Sequence, residues 1–92
     1  MSWFSSNHYS QTEHQITEEH IKEIVSTVHV NTLQQAEVLL VRAEILRRRG
    51  NDGQISLCQI YDVLNHLKDQ NKISKYDRDG VMRRFEEYFK KI

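Results

Sequence analysis

The feature that most limits what this chain can fold into is punctuation it lacks. Its 92 residues contain no proline, and its three glycines are Gly50, Gly53 and Gly80. Long stretches are therefore free to stay helical, because the two residues that most penalise a helix interior are absent from them. No window shows the period-two alternation of a strand bounded by turn residues, except a short segment at 25–30 whose neighbours already fit a helical stripe. The expected class is all-α: a small bundle of three to four helices, with no sheet and with a flexible N-terminal tail.

Helix starts share one grammar. Ile16-Thr17, Ile55-Ser56 and Ile73-Ser74 each place a branched apolar residue before a hydroxyl that can accept from an orphan N–H of the first turn. Ile16 with Ile21, and Ile55 with Ile60, have the spacing of a hydrophobic staple, while Ser56 with Gln59 and Thr32 with Gln35 have that of a capping box. These signals predict helices near 17–30, 32–49, 56–70 and 74–91. Residues 1–15 carry little apolar periodicity and read as the tail, with Trp3 and Phe4 as an aromatic pair able to anchor in a groove; residues 16–92 read as one helical domain.

Projection at 100° per residue shows what each helix buries. The first has a narrow stripe of Ile21, Ile24, Val25 and Val28. The third collects Leu57, Ile60, Tyr61, Val63, Leu64 and Leu67, and the fourth Val81, Met82, Phe85, Tyr88, Phe89 and Ile92. The second differs. Leu33, Ala36, Leu39, Leu40, Ala43 and Leu46 form a broad face, and Val38, Val41 and Ile45 form a second patch separated from it by polar residues. Leaving that second patch in water would forfeit roughly 1.5–3 kcal/mol per aliphatic chain. Val38, Val41 and Ile45, with Trp3 and Phe4, are thus the expected protein interface, unless the second helix is the central rod of the monomer.

Length and composition exclude more than they assign. A chain of this size buries only roughly 60–65% of its unfolded surface, which leaves little room for a deep enzyme pocket and favours self-association. There is no apolar run of membrane-spanning length and no basic-then-apolar leader, so a soluble cytoplasmic protein without membrane partners is expected. The lone Cys58 precludes an internal disulfide, and no CxxC exists. His8, His14, His20, His29 and His66 are scattered, with no pair at i,i+4. No glycine-rich phosphate loop, no nucleophile elbow and no pair of carboxylates on an apolar background is present. No catalytic residue, cofactor or metal site is expected.

Two segments imitate calcium loops. One runs from Arg48 to Gln59 and the other from Lys75 to Glu86, but each has a cation where the first carboxylate ligand belongs. Ser74-to-Asp77 helix capping is the simpler reading of the second.

Charge is uneven although the total is zero. Residues 1–46 hold two basic and six acidic side chains, and residues 47–92 hold eleven and seven. Such asymmetry can steer antiparallel pairing or present a basic surface to nucleic acid. Arg47, Arg48 and Arg49 suit the negative end of a helix, and together with Lys75, Arg78, Arg83 and Arg84 they are the candidate contacts to nucleic acid or an acidic partner. Asp77 and Asp79 in the first turn of the last helix argue against it as a groove-reading helix.

From Ala36 to Phe89 the chain resembles the AriR/YmgB group of small bacterial regulators, described as two-component connector proteins. The matching positions are Val38, Leu39, Ala43, Gly50, Ile60, Leu64, Leu67, Asp77, Arg84, Phe85 and Glu86. The resemblance implies a helical homodimer in the bacterial cytoplasm that modulates a signalling or transcription pathway. The combined expectation is a non-enzymatic adaptor or regulator acting through protein–protein contacts as a homodimer. The alternatives are a nucleic-acid-binding regulator using the basic half, and a phage or plasmid inhibitor or immunity protein that blocks a partner's surface.

Overall fold

In the computed structural model, residues 8–91 are described. The order of elements is β1 (Glu13–Gln15), α1 (Glu18–Ile24), α2 (Gln35–Arg48), β2 (Gln54–Ser56), α3 (Leu57–Asp69) and α4 (Lys75–Lys90). The fold is mostly helical but not strictly all-α. β1 and β2 pair antiparallel, with His14 opposite Ile55. The expected tail therefore ends too late: Glu13–Gln15 is a strand, and the Cys58 amide donates to the Ser10 carbonyl at 3.0 Å. Three-residue strands escape periodicity, because alternation needs more residues than this to show. Trp3 and Phe4 lie outside the described residues.

The helix starts follow the sequence grammar at three sites. Thr17, Ser56 and Ser74 are N-caps whose hydroxyls accept from the amides of His20, Gln59 and Asp77. The Ser56 and Ser74 amides in turn donate to the side chains of Gln59 and Asp77, completing two capping boxes. The fourth start is shifted: α2 begins after Gln34, whose amide donates to Glu37 Oε1 at 2.7 Å, and not after Thr32. Leu33 is buried and turned back onto Val30 by a backbone hydrogen bond, which keeps residues 30–33 out of the helix.

α1 ends six residues before the predicted boundary, at Ile24. The chain then turns at Ser26, whose hydroxyl accepts from the His29 amide. The early end leaves carbonyls without helical partners, and Arg42 of α2 supplies them: Nε donates to Val25 O at 2.8 Å and Nη2 to Lys22 O at 3.0 Å. Val28, expected in the buried stripe, is consequently beyond the helix and 85% exposed.

Two tight connections set the packing. Gly53 takes φ +80° between α2 and β2, and a Cβ there would meet Gln15 Nε2 at 2.7 Å. Between α3 and α4, Asn71 adopts φ 60° while the Lys72 amide reaches Leu67 O and the Asn71 amide reaches Lys68 O, a Schellman ending. α1 packs on α2, α2 on α3, α3 on α4, and α4 back on α1. The enclosed core includes Ile21, Val41, Ile45, Ile60, Leu64, Val81, Met82 and Phe85. No helix among the described residues is long and apolar enough to cross a membrane.

Candidate functional site

α2 is turned around its axis relative to the sequence expectation. Val38, Val41 and Ile45, the expected interface residues, are at most 1% exposed and sit inside the protomer's own core. The opposite face looks outward: Ala36, Leu39 and Ala43 are exposed, and Leu40 and Leu46 are half-buried at its edges. The physical reason lies in both faces. The β-branched strip is narrow and fits between the packed helices, whereas the broad face is centred on two alanines that gain little from burial. Arg42 locks the orientation, because its bonds to the end of α1 fix which flank of α2 lies against that helix.

The outward face is continuous with a shallow groove of about 230 Å³ between α1 and α2. Ile21, Leu39, Ala43 and Leu46 supply its apolar surface, and Glu18, Lys22 and Arg42 its charged edge. Leu39 is 55% exposed, one of three large apolar side chains so exposed among the described residues.

The seven candidate cations do not form one surface. Arg49 donates to Ile16 O at 2.7 Å and so fastens the end of α2 to the start of α1. Arg47 is paired with Glu44. Arg78 donates to Asn65 Oδ1 at 2.8 Å and to Asp79, and lies over the Tyr61 ring at 5.2 Å. Arg84 donates to His29 O at 3.0 Å and to Glu87. Arg48, Lys75 and Arg83 are exposed. Arg47 and Arg48 line a hollow of about 430 Å³ against α3, together with Glu44, Asp62, Val63, His66 and Leu67. Arg83 and Arg84 line a different one against the α1–α2 connection.

The segment from Arg48 to Gln59 does have the helix–loop–strand–helix path of a calcium hand, with Gly53 at the sharp turn. Its chemistry is that of a self-closed turn. The Gln54 carbonyl accepts from the Gly50 amide, Asp52 Oδ1 accepts from the Gln54 amide, and the Gln59 side chain is used by the capping box. The second imitation, from Lys75, is continuous helix. No group of three or more His, Cys, Asp or Glu among the described residues could hold a metal ion.

Aromatic and titratable groups gather where α4 meets α1. Tyr88 Oη lies 2.8 Å from His20 Nδ1, and His14 packs on Phe89 with ring centroids 4.9 Å apart. Burial, with a smaller contribution from Glu23, raises the Tyr88 phenol above its ordinary value. Tyr9 packs on Tyr61, and burial raises its phenol in the same direction, helped by Glu86. Cys58 is buried and in no disulfide. Sequence reasoning did not single out Tyr76, which is 76% exposed on α4, or the hollow beside it. An aromatic at a position of α4 that falls outside its apolar stripe was the signal available.

No family model, curated protein or solved structure matches the chain.

Proposed function

We propose that the chain is a small non-enzymatic adaptor or regulator that acts by binding protein through the outward face of α2, and that its first partner is a second copy of itself. The observation that carries this reading is the 55% exposure of Leu39 on a face otherwise made of Ala36, Ala43, Leu40 and Leu46. Small residues at the centre of a helix face let a second helix approach closely, and leucines at its edges supply the area to bury. A two-fold pairing also requires a surface complementary to itself. The edge of this one carries both signs, with Glu18 beside Lys22 and Arg42. The resemblance of residues 36–89 to the bacterial connector group agrees with a dimeric regulator of a signalling or transcription pathway, and a cytoplasmic setting belongs to the same reading.

The thermal midpoint measured over a hundredfold range of protein concentration tests it. A folded dimer unfolding to monomers gains stability by mass action, so the midpoint rises with concentration. A midpoint that is the same at every concentration, for wild type as for Leu39→Glu, contradicts self-association.

A further inference from the structure

The hollow between the α1–α2 connection and α4, about 380 Å³, has a composition unlike that of the groove on α2. Its base is fixed at two points. Gly80 is the place where α4 meets the connection, since a Cβ there would lie 3.1 Å from Val30 Cγ1. One helical turn further on, Arg84 Nε holds the His29 carbonyl at 3.0 Å.

Above that base stand two of the three strongly exposed large apolar side chains among the described residues, Val28 and Tyr76. Both line the same hollow, and so do Arg83 and Arg84. Asp79 is the acidic residue of the lining, and its carboxylate already accepts from Arg78 Nε at 3.0 Å. Arg84 has two nitrogens committed, Nε to His29 O and Nη1 to Glu87, whereas Arg83 is exposed. The remaining lining includes the polar residues His29, Asn31 and Thr32. An apolar peptide would find little to bury in such a polar lining. A ligand with one flat π-face, a polar middle and an anionic end meets complementary groups throughout. Tyr76 and Arg83 are seven residues apart, about 10 Å along one helix face, so an aromatic platform and a cation are set two turns from each other.

We propose that this hollow binds a nucleoside phosphate, with the base stacked on Tyr76 and the phosphate held by Arg83, beside the uncommitted N–H groups of Arg84. The stacking face tolerates any base, and the guanidinium fork of Arg83 matches phosphate oxygens. The same chemistry is offered by a free nucleotide and by one unit of a single strand. This site lies on α4, apart from the α2 face, and does not depend on self-association.

Calorimetric titration of the full chain at low salt tests the proposal, using ADP, inorganic phosphate, an eight-residue oligo-uridylate and an acidic peptide of alternating Glu and Leu as probes. ADP or the oligonucleotide binds, and Tyr76→Ala weakens that binding by about tenfold while Tyr76→Phe, which keeps the ring, does not. Arg83→Gln weakens it as well and lowers the dependence on salt by about one log–log unit. Oligonucleotide affinity more than about tenfold above that of ADP identifies a strand as the source, and equal affinities identify a free nucleotide. Both altered side chains are exposed, so the variants fold, and Leu39→Glu leaves the binding unchanged. Failure of both nucleotide probes to bind overturns the proposal. So does binding indifferent to Tyr76→Ala and Arg83→Gln, or capture of the acidic peptide alone.

Discussion

Tyr88 Oη and His20 Nδ1, 2.8 Å apart, join the last turn of α4 to α1 across 68 residues of sequence. Their rings pack at 5.2 Å, and Phe89 brings His14 of β1 into the same cluster. The contact adds a polar tie between α4 and α1 to the apolar packing that already holds α4 in the core.

Tyr88 makes that tie sensitive to alkali. Its phenol is raised above the ordinary value of about 10, first by burial and then by Glu23. The unfolded chain therefore loses this proton at a lower pH than the folded one. The stabilisation is complete below about pH 10 and falls as pH rises through the higher folded value. Tyr9 acts in the same direction. Urea midpoints measured from pH 8 to 11.5 are expected to fall at the alkaline end, and to fall less in Tyr88→Phe than in wild type, although Tyr88→Phe starts lower by the loss of one hydrogen bond.

The orientation of α2 separates two substitutions on the same helix. Ile45→Ala opens a cavity in the core and is expected to cost about 2–5 kcal/mol, while Leu39→Ala is expected to change monomer stability by less than about 1 kcal/mol. Denaturant titration at low protein concentration reads both. Equal costs would mean that the two faces are equally buried.

Arg42 is expected to be irreplaceable by lysine. Two carbonyls, of Lys22 and Val25, depend on two different nitrogens of its guanidinium, and an ammonium offers no such planar fork. Arg42→Lys should lose about 1–3 kcal/mol and speed amide exchange in α1 more than in α3.

Gly53 is the backbone position least tolerant of a side chain. At φ +80° a Cβ is strained, and the Gln15 side chain, whose Nε2 donates to Asp52 O at 3.0 Å, would have to swing aside. Gly53→Ala is expected to cost about 1–2 kcal/mol from the backbone alone and to weaken β1–β2 pairing. A thermal midpoint equal to that of wild type would contradict the turn geometry.

Local chemistry was the legible part of the sequence. Thr17, Ser56 and Ser74 cap helices because their signals involve residues three apart, and the staple residues Ile16, Ile21, Ile55 and Ile60 are all buried. Where the sequence misled, the deciding partner was distant. α1 stops at Ile24 with Arg42, on another helix, taking its carbonyls. β1 forms since β2, some forty residues on, completes its hydrogen bonds. The two apolar faces of α2 were both visible, but their rank was not: count of leucines favoured one, and the space between neighbouring helices admitted the other. Val38, Val41 and Ile45 went inward, and the surface left for a partner is the one carrying Leu39. Among the cations, a linear run such as Arg47-Arg48-Arg49 gave no warning that Arg49 would be spent on Ile16 O.

Sedimentation equilibrium of wild type and Leu39→Glu, at matched concentrations and with helical content checked by circular dichroism, bears most directly on the outward face of α2 as an interface. Wild type is expected to sediment with the mass of two chains, and the variant, equally helical, with the mass of one. A wild type that stays monomeric throughout, or a variant that remains dimeric, would contradict it.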